Sequence, residues 1–116
     1  MKIEFIQEAA IEYMSLDGSI KILADKILEK LEKNPFLGEK LGNKNNIDLT
    51  GFYKLYFDKK RYRIIYRITH NEIEIIEIWG IGKRDKMEIY KAVYKRISDR
   101  HNDNDKDTNK KRLKRG

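Results

Sequence analysis

Six residues carry the chemistry that this 116-residue chain offers: Lys54, Tyr56, Arg63, Arg67, Arg84 and Tyr90. Four are cations and two are phenols. A face of fixed guanidinium groups stabilises the extra charge that a phosphorane gains as RNA is cleaved. Tyrosine rings offer a π-face to a splayed base. The same residues on a sheet would equally make a solvated cationic face, or one that docks an acidic peptide of a partner. Other chemistries find no support. The chain has no cysteine, and its two histidines, His70 and His101, have no carboxylate or second histidine at ligand spacing. No Ser/His/Asp arrangement and no pair of catalytic carboxylates stands out.

Strands must position the first four of these residues. Phe52–Phe57 and Arg61–Thr69 read as two strands joined by a turn at Asp58–Arg61. An antiparallel hairpin with that turn pairs residue 57 with 62, 55 with 64 and 53 with 66. Facing alternates along a strand, so Tyr53, Leu55, Phe57, Tyr62, Ile64 and Tyr66 share one face, taken as the core face. Lys54, Tyr56, Arg63, Ile65 and Arg67 share the other. A third strand, Ile73–Ile81, follows a turn at His70-Asn71-Glu72. It is apolar at most positions and broken by Glu74 and Glu77, as suits a central strand. Gly80 and Gly82 suit a bend. A helix is expected from Asp85 to Ile97, with Met87, Tyr90, Val93, Tyr94 and Ile97 at helical spacing. It delivers Tyr90, and the end of the third strand delivers Arg84.

The first half of the chain reads as support. Lys2–Ile6 alternates and is expected to be a short strand. A helix follows from Gln7 to Leu16, stopped at Asp17-Gly18. Ser19 reads as the N-cap of a second helix, with Ile20, Leu23, Ala24, Ile27 and Leu31 as its apolar stripe. Asn34-Pro35 closes it, because the residue before proline is pushed from helical angles. The two helices form a hairpin that covers one face of the sheet. Phe36–Thr50 is a connector anchored by Phe36, Leu37, Leu41, Ile47 and Leu49. Its Gly38 and Gly42 lack the strand–turn–helix context of a phosphate loop.

Composition bounds the partners. Charged residues make up 39% of the chain, and the net charge is +7. Residues 1–49 hold 7 Lys/Arg against 9 Asp/Glu, residues 50–97 hold 12 against 6, and residues 98–116 hold 7 against 4. The basic excess therefore lies in the sheet segment and the tail. It suits a polyanion such as nucleic acid, or a solvated surface. No apolar run approaches the roughly 18 residues that cross a bilayer. Met1-Lys2-Ile3-Glu4 carries acid where a signal peptide starts basic and runs apolar. A cytoplasmic chain with no membrane contact is expected. Beyond Ser98 the composition is that of a flexible basic tail that cannot bury enough apolar surface to order itself. Its end, Lys110-Lys111-Arg112-Leu113-Lys114-Arg115, could touch nucleic acid, solubilise, or order on a partner.

The segment that carries the six residues resembles the RelE/ParE toxins of type II toxin–antitoxin systems, in particular their RelE-like branch. The matching text is Leu49-Thr50-Gly51, Tyr53-Lys54-Leu55, Tyr62-Arg63-Ile64-Ile65-Tyr66, Gly82-Lys83-Arg84-Asp85, Glu88-Ile89-Tyr90 and Lys95-Arg96-Ile97. The resemblance covers residues 1–97 and excludes the tail, 98–116. It implies a small α+β domain of order β-α-α-β-β-β-α, with the helical hairpin packed on a mainly antiparallel sheet.

The resemblance also implies a ribosome-dependent endoribonuclease that cuts messenger RNA in the A site. The ribose 2′-OH attacks the neighbouring phosphate, and no metal or other cofactor is needed. The implied catalytic residues are Lys54, Arg63, Arg84 and Tyr90. Arg63 and Arg84 would hold phosphate and transition-state charge, Lys54 the 2′-oxygen, and Tyr90 the substrate. Tyr56, Arg61, Arg67, Lys83 and Lys86 are expected to bind RNA. One position departs: the branch usually has a second lysine where this chain has Tyr56. The general base is therefore open. A lysine needs a depressed pKa to serve, and the crowd of cations would push Lys54 that way. Tyr56 or Tyr90 would serve as a tyrosinate held by the same cations.

The resemblance further implies a cognate antitoxin, with messenger RNA and the ribosome as the other partners. DNA contact is expected only within a toxin–antitoxin complex. Two alternatives stand beside this reading: a ParE-like inhibitor of DNA gyrase, and a non-catalytic interaction module on the same fold.

Overall fold

The computed structural model describes residues 1–70, 74–85 and 87–106. Lys86, the centre of the turn expected at 70–72, and the basic run 110–115 lie outside the described residues.

Strand β1 (Lys2–Phe5) is followed by helices α1 (Gln7–Met14) and α2 (Gly18–Lys33). Two boundaries differ from expectation. Gly18 opens α2 rather than closing α1, and Asp17, not Ser19, stands at the N-cap, without a side-chain cap bond. What ends α1 is Ser15, whose Oγ donates to the carbonyl of Ile11 at 2.8 Å. Such back-bonding lets a short hydroxyl compete with helix continuation. Helix α2 presents Ala24, Leu28 and Leu31 to the core, with Ile20, Leu23 and Ile27 beside them. It stops at Asn34, whose extended backbone precedes Pro35.

The connector carries three two-residue strands that local sequence did not announce: β2 (Glu39–Lys40), β3 (Asn43–Lys44) and β4 (Ile47–Asp48). β3 and β4 pair antiparallel across Asn45 and Asn46, whose φ angles are 54° and 64°. Asparagine tolerates this left-handed region better than most residues, which suits a two-residue hairpin turn. Leu41, Ile47 and Leu49 anchor the connector as expected. Phe36 and Leu37 do not, being 62% and 38% exposed.

Strands β5 (Phe52–Phe57), β6 (Tyr62–His70) and β7 (Glu74–Lys83) complete the main sheet, ordered β1-β7-β6-β5-β2. The β5/β6 register pairs Phe57 with Tyr62, Leu55 with Ile64 and Tyr53 with Tyr66, as the alternation predicts. β7 is interior, antiparallel to β6 and parallel to β1. Leu55, Phe57, Ile64, Tyr66, Ile76, Ile78 and Ile81 pack under the helical hairpin.

The opposite face is covered in part by helix α3 (Glu88–Lys106). Ile65, Trp79, Ile89, Tyr90 and Val93 form a second core there with Leu49 and Phe52. Gly80 lies within strand β7. A Cβ on it would lie 2.8 Å from Val93 Cγ2 and 2.9 Å from Ile89 Cδ1. Glycine at this position is what lets α3 approach the sheet. Ile65 pairs with Gly80 but Tyr66 with Ile78, so Trp79 is the extra residue of a bulge. The bulge lets Trp79 and Gly80 both meet α3.

The last helix runs past the expected end at Ile97, to Lys106. Two acids of α1 hold it. Glu12 pairs with Arg96 at 2.7 Å and also accepts the backbone N–H of Ile81 at 3.1 Å. Glu8 pairs with Arg100 at 2.7 Å, and the Arg100 guanidinium lies 5.0 Å from the Trp79 ring centroid. These contacts order residues that their own composition would leave in solvent. No helix among the described residues is long and apolar enough to cross a membrane.

Candidate active site

The hairpin register sets Tyr56 directly opposite Arg63. Tyr56 becomes the hub of the cationic set. Lys54 Nζ lies 5.2 Å from its ring centroid, Arg63 Cζ 5.6 Å, and Lys60 Nζ and Arg84 Cζ 5.7 Å each. Lys54 also donates to the Tyr56 hydroxyl at 3.3 Å. On the other side of Arg63, its guanidinium lies 4.6 Å from the ring centroid of Tyr90. Arg63 is thus held between a strand tyrosine and a helix tyrosine, with 7% of its surface exposed. Lys54, Arg63, Arg84 and Tyr90 come together with Tyr56 as the sequence led one to expect.

The electrostatics separate the candidate bases. Burial alone raises the Tyr56 phenol, but the hydrogen bond and charge of Lys54, with those of Arg63, outweigh it, and the pKa falls below the ordinary tyrosine value. Lys54 moves the opposite way. Burial alone lowers it, but the bond to Tyr56 and the nearby Tyr90, Tyr56 and Glu39 outweigh that, and its pKa rises. The expectation that surrounding cations depress Lys54 is therefore overturned. Its nearest groups are acceptors, with Glu39 Oε1 at 3.4 Å.

Arg67 does not belong to the set. It sits on the same face, but its Nε donates to Glu77 at 2.7 Å, and its guanidinium lies over Trp79 and Phe52 at 4.8 and 5.5 Å. Glu77 Oε1 also accepts from Trp79 Nε1 at 3.1 Å. Arg61 and Lys83 line a different feature, an open groove of about 600 Å³ at the hairpin end with Lys59, Lys60 and Arg84. Arg61 pairs there with Asp58 at 3.2 Å, and its carbonyl accepts the Arg84 N–H at 2.7 Å, which fixes the backbone at Arg84.

Two neighbours escaped sequence reasoning. Lys60 reaches Tyr56 because Asp58, Lys59 and Lys60 all adopt left-handed angles, φ 53°, 55° and 67°, a turn that no glycine signals. Glu39 reaches Lys54 because β2 pairs with β5, Glu39 opposite Lys54. Gly38 permits that approach: a Cβ there would lie 2.6 Å from the Lys54 carbonyl and 2.8 Å from the Tyr66 hydroxyl. The buried Tyr66 hydroxyl accepts from Gly38 N–H at 2.9 Å and donates to the Pro35 carbonyl at 2.8 Å. A cleft of about 420 Å³ opens between this connector and α3, and Lys54 and Tyr90 form part of its lining.

Comparison with known proteins bears on the fold and the family. The family described as "ParE toxin of type II toxin-antitoxin system, parDE" matches residues 8–88. The mRNA interferase toxin RelE of Escherichia coli K12 is 26% identical over 96 residues, covering 82% of this chain and 95% of that protein. The fold resembles the crystal structure of isolated E. coli RelE, with a TM-score of 0.60 at 22% identity over 83% of this chain and 97% of that one. It also resembles RelE in the intact E. coli RelBE toxin–antitoxin complex, with a TM-score of 0.59 at 19% identity over 73% and 98%. The likeness to the solved structures establishes the fold, and the match over residues 8–88 establishes the family. The chain belongs to the ParE toxin family of type II toxin–antitoxin systems.

Proposed function

We propose that this chain is a toxin that cleaves messenger RNA on the ribosome, by attack of a ribose 2′-OH on the adjacent phosphate. The single observation that carries the reading is the placing of Tyr56 among the cations, with Lys54 donating to its hydroxyl at 3.3 Å, Arg63 directly opposite it and Arg84 5.7 Å from its ring centroid. The relative named as an mRNA interferase supports it.

In this reading Tyr56, as tyrosinate, takes the 2′-hydroxyl proton. The 2′-oxygen bonds to phosphorus and the bond to the 5′-oxygen breaks; the departing oxygen takes a proton from water, leaving a 2′,3′-cyclic phosphate and a 5′-hydroxyl. Arg63 and Arg84 neutralise the phosphorane charge, and a buried, preorganised guanidinium does so without reorganising. Lys54 stays protonated and holds the tyrosinate. Tyr90 fixes the plane of Arg63. Arg61 and Lys83 serve RNA binding outside the reacting centre, and Lys86 is a further RNA-binding residue.

A toxin of this kind works in the cytoplasm and is held in check by an antitoxin, as RelE is crystallised with one in the RelBE complex. The test is induced expression in bacteria with 5′-end mapping of messenger RNA, comparing the wild type with Arg84→Ala. Cuts inside translated frames that vanish in the variant, and when translation is blocked, are expected. Growth arrest with intact messenger RNA would overturn the reading in favour of a bound target such as gyrase.

A further inference from the structure

We propose that the cleft beside Lys54 and Tyr90 receives the nucleobase next to the scissile phosphate, and that Glu39 reads hydrogen-bond donors on the edge of that base. The proposal deepens the ribonuclease reading and rests on it.

The cleft has the make-up of a base site. Leu41, Ile47, Leu49 and Met87 supply an apolar lining, and Tyr90 adds a ring. Its volume of about 420 Å³ falls in the ordinary range for small-molecule pockets. It is continuous with the reacting centre through Lys54, which touches the Tyr56 hydroxyl at 3.3 Å and Glu39 at 3.4 Å. A ribose held at Tyr56 therefore has its base within reach of the cleft, and single-stranded RNA splays its bases readily.

The charges of the cleft favour the same occupant. Lys40, Lys44 and Lys54 suit a polyanion passing over the rim. Glu39 is the exception, and a carboxylate there repels phosphate. It accepts well, however, from the amino or imino groups of a base edge. The walls are also fixed before any ligand arrives. Leu41 N–H donates to the Phe52 carbonyl at 2.9 Å, and Leu49 N–H to the Gly42 carbonyl at 3.0 Å. A site built in advance loses less freedom on binding.

The test uses four 2′-O-methylated trinucleotides, differing in the central base. Methylation blocks the nucleophile, so binding is read without cleavage. Each is titrated into the whole chain while the methyl resonances of Leu41, Ile47, Leu49 and Met87 are followed. The expected result is saturable shifts of these methyls, with affinities that differ between bases by about tenfold. In Glu39→Gln the ranking of the bases changes while the shifts persist. In Ile47→Trp, which fills the cleft, the shifts disappear and the fold is retained by circular dichroism.

Equal affinities for all four bases would overturn the proposal. So would methyls that stay unmoved up to millimolar trinucleotide, or shifts given by an acidic peptide alone. The two readings fail separately. A chain that cuts messenger RNA but shows no shifts keeps the nuclease and loses the base site. One that binds trinucleotides in the cleft yet leaves messenger RNA intact keeps the base site and loses the nuclease.

Discussion

The guanidinium of Arg63 lies 4.6 Å from the ring centroid of Tyr90, so helix α3 closes over a cation that strand β6 supplies. The contact ties two distant parts of the chain into one site. Its value should be readable. Tyr90→Phe keeps the ring and is expected to retain cleavage within about threefold, since a desolvated cation–π contact depends on the ring face. Tyr90→Ala should lose cleavage by more than tenfold and also lower the melting temperature, because Tyr90 is buried. Single-turnover rates together with thermal melts separate the two effects.

The protonation assignment predicts a pH profile. In the proposed mechanism Tyr56 works deprotonated, and, against burial, Lys54 and Arg63 hold its pKa below the ordinary tyrosine value. The cleavage rate should therefore rise with pH through neutrality and level off as the phenol finishes titrating. Lys54, whose pKa is raised, stays charged across that range. Tyr56→Phe should remove the rise and slow the reaction by about a hundredfold or more, the usual span for loss of a general base. A rise that persists in Tyr56→Phe would assign the base elsewhere.

Arg67 is expected to matter for stability rather than for cleavage. It pairs with Glu77 and covers Trp79. Arg67→Ala should leave the cleavage rate within about threefold and cost about 1 kcal/mol of folding stability, measured by urea denaturation. A loss of cleavage with unchanged stability would return Arg67 to the reacting centre.

The clamp between α1 and α3 makes acid stability testable. The bond to Arg100 is the largest influence on Glu8 and, against a smaller effect of burial, holds its carboxyl below the ordinary glutamate value. A depressed folded pKa gives stability that is fully present above the unfolded value and lost as pH falls through the folded one. Wild type should therefore lose this contribution below about pH 4. Glu8→Gln should be less stable at neutral pH and show a shallower loss in acid. Identical acid-unfolding curves would contradict the assignment.

Close packing at Gly80 gives a stability prediction independent of the site. Gly80→Ala would bring a Cβ within 2.8 Å of Val93. Overpacking of this kind costs about 1–3 kcal/mol, so the melting temperature should fall by several degrees. Val93→Ala in the same chain should restore part of it, because the methyl that clashes is gone.

The hairpin was legible in the sequence because a turn at Asp58–Arg61 fixes a register that sets Leu55, Ile64 and Tyr66 on one face. That register carried Tyr56 and Arg63 into place. The alternation sets Arg67 on the same face but cannot show its pairing, because Glu77 lies on the neighbouring strand. The end of α3 was misread for a similar reason, since Arg96 and Arg100 find Glu12 and Glu8 at separations of 84 and 92 residues. Glu39 and Lys60 were missed because two-residue strands and a left-handed turn without glycine leave almost no local signal. The direction of the Lys54 shift was misjudged because counting cations ignored which acceptors sit nearest.

The central claim is tested most directly on ribosomes programmed with a defined messenger RNA. Purified wild type and Tyr56→Phe would be added and the new RNA ends mapped and their chemistry determined. The account predicts cuts at the A-site codon, with a 2′,3′-cyclic phosphate and a 5′-hydroxyl, formed by wild type and slowed about a hundredfold or more in the variant. Intact messenger RNA with wild type, or cutting at equal rates by both proteins, would contradict it.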